Sequence, residues 1–171
     1  MILGRKIKCL PTPEQLIKFK KSAGTSRFVY NLMLFENRKS YNQYMKSDMK
    51  VKSPFISGIS FGKYITRLKR TPEFSWLSDV GGKVAKQACL DCDNAFKRFF
   101  KKLSGFPKFK KKSERDSFYV NYETFKRTNE GFKGERLGNV RTAEPLPKAD
   151  KYYNPRIVHD CKYWYITFGV D

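Results

Sequence analysis

Acidic residues, metal ligands and long apolar runs are all scarce in this sequence. Its 171 residues include 16 Asp and Glu against 36 Lys and Arg, which leaves a formal charge of +20. The sequence predicts neither a membrane-spanning helix nor a signal peptide, because no run of about 18 apolar residues occurs and the N-terminal segment is already charged at Arg5. We therefore expect a cytoplasmic protein.

His159 is the single histidine, and the four cysteines are too sparse for a disulfide framework, so we expect reduced thiols. Cys89 and Cys92 have the C-x-x-C spacing of some zinc sites, but they fall on the apolar face of a predicted helix. No second pair lies at ligand spacing, since Cys9 and Cys161 are isolated. The pattern favours buried core cysteines over a zinc site, for which four ligands must converge.

Catalytic signatures are also missing. The acids are scattered, and Asp91 and Asp93 are expected on different sides of one helix. No Ser/His/Asp or Cys/His set can be assembled, and no glycine-rich phosphate loop is present. The sequence therefore predicts no active site, no cofactor and no metal in this chain.

Aromatic and basic residues, in contrast, are abundant. The chain is 40% apolar and contains 15 Phe and 10 Tyr, which is enough for a packed core and excludes a disordered polycation. A charge of +20 opposes compaction by self-repulsion, so a polyanion is the expected partner. Nucleic acid is favoured over an anionic membrane surface.

The first half of the chain reads as one strand followed by helices. Residues 2–10 alternate as a strand, and Thr12-Pro13-Glu14-Gln15 has the form of a capping box that starts a helix. A break at Gly24 and a second helix after it predict an αα-hairpin. We interpret this hairpin as packing rather than as a DNA-reading helix-turn-helix, because Phe28-Val29-Tyr30 is too apolar to face base edges.

Helical spacing continues to about residue 103 and then gives way to short β-rich runs. The remaining predicted helices cover residues 61–68, 74–77 and 85–103, after a polar connection over residues 47–60. The remaining predicted strands are 117–122, 131–141, 156–160 and 163–170. An isolated first strand needs partners, so we expect an α+β fold in which a helical block is inserted after the first strand of a small β-barrel.

The strongest chemical feature is the basic segment, residues 97–112, which contains eight cations and no acid. Four phenylalanines are interleaved with the cations, an arrangement typical of phosphate-gripping surfaces, although a solvated face over buried phenylalanines would look similar. Phosphate contacts are expected rather than base reading. The candidate backbone-binding cations are Lys97, Arg98, Lys101, Lys102, Lys108, Lys110, Lys111 and Lys112; the phenylalanines are Phe99, Phe100, Phe106 and Phe109.

Several segments, taken in order, resemble the N-terminal part of the TnpB family, RNA-guided nucleases of bacterial insertion sequences that are similar to ancestors of type V CRISPR effectors. The resemblance extends over essentially the whole chain. The segments that carry it are Pro11-Thr12 with Gln15, Arg27-Phe28-Val29-Tyr30-Asn31, Ser75-Trp76-Leu77-Ser78-Asp79-Val80, Ala95-Phe96-Lys97-Arg98-Phe99-Phe100, Gly105-Phe106-Pro107-Lys108-Phe109-Lys110 and Trp164-Tyr165-Ile166.

The resemblance implies a fold and a division of labour. Residues 1–10 and 105–171 would form the oligonucleotide-binding-like barrel called the wedge domain, and residues 11–104 the inserted recognition lobe. In the family these parts hold the guide RNA scaffold, cradle the guide–target heteroduplex and read a short duplex motif beside the target. The RuvC-like nuclease domain and a zinc finger follow later in such chains, so Mg²⁺ and Zn²⁺ are expected only there. Asp171 ends the last wedge strand, too early to be a RuvC aspartate.

The resemblance also implies site residues. Arg27 is added to the backbone-binding set, with Tyr30 supporting the recognition lobe. The positions that read the adjacent motif fall on Phe61, on the start of the long helix and on the first strand after the basic segment. These candidates are Phe61, Gly82, Lys83, Lys86, Gln87 and the stretch from Asn121 to Thr124.

The resulting hypothesis is the non-catalytic wedge and recognition part of a TnpB-like protein. Its expected partners are an omega-type guide RNA, a target DNA duplex and the C-terminal nuclease portion, without a membrane; bound to DNA, it would be nucleoid-associated. Two alternatives stay open. One is a stand-alone DNA-binding regulator of the transposable element, and the other is a basic RNA-binding protein without specificity.

Overall fold

The computed structural model describes residues 1–50, 55–113 and 115–171. It is an α+β protein in which helices follow the first strand, as the sequence predicts. The helices are α1 (Pro13–Lys46), α2 (Gly58–Leu68), a 3₁₀ helix (Pro72–Asp79) and α3 (Gly82–Phe100). The strands are β1 (Leu3–Leu10), β2 (Ser117–Tyr119), β3 (Lys126–Arg127), β4 (Gly131–Gly134), β5 (Gly138–Thr142), β6 (Tyr153–Asp160) and β7 (Tyr163–Val170).

The strands form one antiparallel sheet in the order β2-β6-β7-β1-β5-β4-β3. Strand β1 is central: its residues 3–8 pair with β7, and Cys9 and Leu10 pair with β5. The first strand of the chain therefore joins the C-terminal hairpin β6–β7 to the hairpin β4–β5. In the described residues, β2 and β3 are the edges of this sheet.

Helix α1 is a single uninterrupted helix, so the predicted αα-hairpin is wrong. The predicted capping box is confirmed, with Thr12 and Gln15 bonding reciprocally and Pro13 in the first turn. A glycine inside a helix costs about 1 kcal/mol relative to alanine, but Gly24 lies between the buried residues Ala23 and Val29. Burial on both sides outweighs that local cost, and the helix runs for roughly 50 Å.

The other helices match the predictions with shifted ends. Helix α2 begins at Gly58, three residues earlier than predicted, and the predicted connection before it includes residues 51–54, which lie outside the described residues. Helix α3 ends at Phe100, and Leu103, predicted on its apolar face, is 63% exposed beyond a left-handed Lys102. No helix of the described residues is long and apolar enough to cross a bilayer.

The predicted strand over residues 131–141 is instead a hairpin of two strands, β4 and β5. Its turn uses Arg136 and Gly138, both at positive φ. The two-residue strand β3 was not predicted, because two residues carry no alternation signal. The strand predicted over residues 117–122 ends at Tyr119, and β6 begins three residues before its predicted start.

The described residues form two apolar cores, and helix α1 contributes to both. The sheet core contains Phe19 and Ala23 of α1 and Val84 of α3 together with the inward faces of the strands. The helical core contains Val29 and Met33 of α1, packed on α2, α3 and the 3₁₀ helix. The predicted division into residues 1–10 with 105–171 and residues 11–104 stays a prediction. The sheet core includes side chains from both parts.

The cysteine prediction is confirmed for Cys89 and Cys92, which are buried in the helical core. Cys9 is buried in the sheet core, whereas Cys161 is exposed in the β6–β7 turn. Burial raises the pKa of each of the three buried thiols to about 12. These thiols are therefore neutral, apolar packing groups at physiological pH.

Helices α2 and α3 approach closely at Gly58, which gives a matched pair of stability predictions. A Cβ at Gly58 would lie 2.9 Å from the Cys89 carbonyl oxygen, whereas a Cβ at Gly62, in the same helix, meets nothing within 4 Å. We expect Gly58→Ala to lower the free energy of unfolding by about 1–3 kcal/mol. Gly62→Ala should raise it by about 0.5–1 kcal/mol through helix propensity.

Urea unfolding monitored by circular dichroism measures both values. An unchanged midpoint for Gly58→Ala would contradict the close approach of the two helices, and a loss of stability in Gly62→Ala would contradict the open space at that position.

Candidate nucleic-acid interface

The basic segment leaves α3 and crosses α1 before it reaches β2. It has little regular structure of its own after Phe100, yet it is anchored. The Asn31 side chain accepts a hydrogen bond from the Lys110 backbone N–H and donates one to the Lys110 carbonyl, both at 2.8 Å. Phe106 packs against Phe96 and Phe99, with ring centroids 5.5 and 5.1 Å away. Helix α1 thus positions the cations on either side of Lys110.

Two of the four phenylalanines in the basic segment pack inside the protein, and the other two are exposed. Phe106 packs against the helical core, and Phe99 is half-buried beside Tyr41. Phe100 is 52% exposed and Phe109 is 40% exposed. The segment therefore combines rings that hold it in place with rings that remain available at the surface.

Two of the eight cations have partners among the residues that the structure describes. The Lys97 ammonium lies 3.2 Å from the Asp93 carboxylate, which also accepts a hydrogen bond from the Gly58 N–H. The Lys110 ammonium sits over the Tyr30 ring, 4.4 Å from its centroid. Burial of this ammonium lowers the pKa of Lys110.

The other six cations are exposed and have no ion pair with any residue that the structure describes. Their charge is therefore uncompensated within this part of the chain, which is the state expected of groups that contact phosphate. They are Arg98, Lys101, Lys102, Lys108, Lys111 and Lys112.

Arg27, predicted to bind nucleic-acid backbone, serves instead as a structural link. Its guanidinium donates to both carboxylate oxygens of Asp116 at 2.8 Å, and both side chains are mostly buried. A second pair of this kind joins α3 to the sheet, where Arg156 donates to both oxygens of Asp91 at 2.8 and 2.9 Å. Sequence reasoning missed both pairs, because the partners lie 89 and 65 residues apart and no local pattern connects them.

The predicted motif-reading residues are partly reassigned. Phe61 is 2% exposed in the helical core, so it cannot reach a base, and its position is corrected to a packing role. Asn121 is buried, and its side chain accepts a hydrogen bond from the Glu123 N–H, which makes it a turn former. Lys83, 3.8 Å from the Glu123 carboxylate, joins the start of α3 to this turn, so two of the predicted elements do lie together.

Four further candidates remain, three of them in the first turns of α3. Lys86 is exposed and has no ion pair among the described residues. Gln87 donates to Asp91 at 3.1 Å, and Thr124 is exposed while its hydroxyl donates to the Asn121 carbonyl. Gly82 leaves open space where a side chain would stand.

A groove between α2 and α3 was not predicted. It encloses about 230 Å³, and Gly62 and Gly82 leave it open, since a Cβ at either meets nothing within 4 Å. Lys63, Lys69 and Lys86 line it. Burial lowers the pKa of Lys69, and the positive charge of the nearby Arg136 lowers it further. The sequence signal is slight: each glycine is followed directly by a lysine within a helix.

The pair of Asp91 and Arg156 can be tested against an exposed pair. Asp91→Ala leaves a mostly buried guanidinium without its carboxylate, and we expect the free energy of unfolding to fall by about 1–3 kcal/mol. Glu123→Ala removes the exposed partner of Lys83 and should change it by less than about 1 kcal/mol. Chemical denaturation measures both; equal effects would contradict a structural role for the Asp91 pair.

Comparison with known proteins bears on what this surface contacts. Residues 1–46 match a family model described as a helix-turn-helix domain, of the OrfB/IS605 type. In the structure these residues contain β1 and the uninterrupted helix α1. The match nevertheless supports nucleic-acid binding within an insertion-sequence context.

Three relatives are similar over large parts of the chain. A putative RNA-guided DNA endonuclease InsQ from Escherichia coli K12 is 27% identical over 97% of this chain and 40% of its own length. A putative RNA-guided DNA endonuclease from Streptomyces pristinaespiralis is 28% identical over 82% of this chain and 32% of its own length. The virulence protein VsdF from Salmonella dublin is 26% identical over 66% of this chain and 95% of its own length.

The chain thus spans about two fifths and one third of the two relatives named as endonucleases. The matches confirm the resemblance to the TnpB family that the sequence motifs indicate.

Proposed function

We propose that this chain is the nucleic-acid-binding wedge and recognition part of a TnpB-like RNA-guided DNA endonuclease. It holds the guide RNA scaffold and the guide–target heteroduplex and docks on duplex DNA beside the target. The observation that carries the proposal is the basic segment: six exposed cations without ion pairs among the described residues, on a chain path held by Asn31. Similarity to endonuclease-named relatives supports RNA and DNA as the partners.

The basic segment grips phosphates of RNA or heteroduplex. The six exposed cations without ion pairs lie within residues 98–112, and lysine binds phosphate as a point charge that makes little demand on geometry. Exposed Phe100 and Phe109 give unpaired bases a surface for stacking beside those charges. This combination suits a structured RNA that presents both helical and unpaired regions.

The groove between α2 and α3 receives the DNA duplex. Gly62 and Gly82 let a sugar-phosphate backbone approach, and Lys63 and Lys86 stand beside it. In this proposal the exposed side chains of Lys86 and Thr124 read the adjacent motif, while Lys83 and Gln87 contact Glu123 and Asp91. Most of the sequence choice then comes from base pairing by the guide RNA.

The chain binds without cleaving, and the nuclease portion, where Mg²⁺ and Zn²⁺ belong, is proposed as its partner. Incubation of purified chain with Mg²⁺, guide RNA and matched duplex should leave the DNA intact on a denaturing gel. Phosphodiester hydrolysis by metal ions needs converging carboxylates, whereas Asp91, Asp93 and Asp116 are occupied by structural contacts. Cleavage that survives repeated purification and disappears with EDTA would overturn this statement.

The family match described as helix-turn-helix favours one alternative, a DNA-binding regulator that acts without RNA. Filter binding of matched duplex, single strands and structured RNA separates the two functions. Tight, sequence-specific binding of duplex in the absence of RNA would favour the regulator. Equal binding of every polyanion would indicate a basic protein without specificity. A discrete structured RNA that copurifies with the chain would support the guided function.

Neutralising three lysines of the basic segment tests whether these lysines contact phosphates. We expect Lys108→Gln/Lys111→Gln/Lys112→Gln to weaken RNA binding and to lower the slope of log affinity against log salt by about 2–3, since each phosphate contact contributes about 0.7–0.9. Lys110 is left intact because its backbone and ammonium pack against α1.

The control variant is Lys20→Gln/Lys46→Gln/Lys50→Gln, which removes the same charge from exposed positions on and after α1. It should change the slope by less than about 1. If both variants lose affinity equally, the binding depends on net charge and the localised grip is refuted.

A further inference from the structure

Strands β1 and β7 turn opposite faces to the core and to solvent. Their inward residues, such as Ile7 and Trp164, are buried in the sheet core. Their outward residues form a surface of lysines and tyrosines. This surface shares no residue with the basic segment or with the α2–α3 groove. We call this surface the outer sheet face; it consists of Lys6, Lys8, Tyr163 and Tyr165.

On this face each lysine lies over a tyrosine ring. The Lys8 ammonium is 3.5 Å from the centroid of Tyr163, and the Lys6 ammonium is 4.5 Å from the centroid of Tyr165. Strand register places Lys8 opposite Tyr165, so each lysine reaches diagonally to a ring on the neighbouring strand. Tyr163 remains 41% exposed.

Few acids offset these charges. Among the residues that the structure describes, Asp160 is the carboxylate paired with this face, and it accepts a hydrogen bond from Lys6. Lys162 adds a further cation 5.7 Å from the Tyr163 ring. The outer sheet face thus carries net positive charge beside two aromatic rings, which complements a ligand with both phosphates and bases.

The spacing of the two tyrosine rings favours single-stranded over duplex nucleic acid. Tyr163 and Tyr165 are two residues apart on one strand face, and a strand rises about 3.3 Å per residue, so equivalent ring positions are about 6.6 Å apart. Stacked bases of a duplex strand are about 3.4 Å apart. Successive bases can therefore occupy both rings only when they are unstacked from each other, as in a splayed single strand.

We propose that the outer sheet face binds single-stranded nucleic acid, with bases stacked on Tyr163 and Tyr165 and phosphates held by Lys6 and Lys8. An exposed lysine–ring contact is weaker than base–aromatic stacking, so an incoming base displaces the ammonium toward its own phosphate. The inference deepens the proposed function, on which it rests, by assigning an unpaired segment of the bound RNA to this face.

Fluorescence anisotropy with a labelled oligouridine of about 12 nucleotides tests the inference. Tyr163→Leu/Tyr165→Leu removes the rings and retains every charge. We expect its affinity for oligouridine to fall about tenfold or more, which is the loss of one or two stacking contacts. Affinity for a DNA duplex should stay within about twofold, because the lysines remain.

The matched control is Phe35→Leu, which removes an exposed ring under a lysine on α1, where the Lys39 ammonium lies 4.9 Å from the centroid. Its oligouridine affinity should not change. Unchanged affinity in the tyrosine variant, or an equal loss for duplex and single strand, would overturn the inference. Wild-type chain that binds duplex but not oligouridine would overturn it while the proposed function stands; failure to bind any nucleic acid would refute both.

A measurement on the wild-type chain covers the case in which the double variant does not fold. Ultraviolet crosslinking to oligouridine followed by peptide mass spectrometry should attach nucleotides to the peptide that contains Tyr163 and Tyr165. Crosslinks confined to other peptides would overturn the inference.

Discussion

The uninterrupted helix α1 is the constraint on which the rest of the structure depends. It packs Phe19 in the sheet core and Met33 in the helical core, so both cores are built on one rigid element. Between those residues, Asn31 binds Lys110 and Arg27 binds Asp116. Helix α1 therefore holds both ends of the stretch that connects the basic segment to β2. A kink at Gly24 would change the angle between the cores and move both anchors. The candidate nucleic-acid interface is therefore positioned by the continuity of α1.

Three acids of the chain lie where charge must be neutralised inside the fold. Asp91 and Asp116 each hold a mostly buried arginine, and Asp93 holds the N-terminus of α2. Breaking such pairs costs more than removing exposed ones, because a buried guanidinium is left without a partner. Since carboxylates are used there, the exposed cations of the basic segment keep their charge for an external polyanion. The basic segment thus contributes six exposed cations, without ion pairs among the described residues, to the net charge of +20.

Local signals allowed much of the fold to be predicted, and long-range contacts account for most of the rest. The capping box at Thr12, the apolar face of α3 up to Phe96 and the strand over residues 163–170 are each encoded within a few residues, and each is confirmed. The break at Gly24 was a local inference that packing from distant residues overrides.

For the candidate site, the basic segment was visible as a run of charge, but Arg27 was misassigned because its partner Asp116 lies far along the chain. Phe61, taken from the family resemblance, is buried here, which shows that a motif position does not fix exposure.

Arginine and lysine differ in where most of them are used in this protein, and the difference bears on the proposed function. Several arginines are occupied within the fold: Arg27 and Arg156 bind carboxylates, and Arg127 and Arg136 donate to backbone carbonyls at 2.6 Å. The basic segment contains seven lysines and one arginine. Arginine reads guanine edges by a planar, bidentate geometry, whereas lysine contacts phosphate as a compact point charge. A surface rich in lysine therefore suits recognition of backbone and shape, and the proposed function, in which base pairing with a guide selects the sequence, requires no more of this surface.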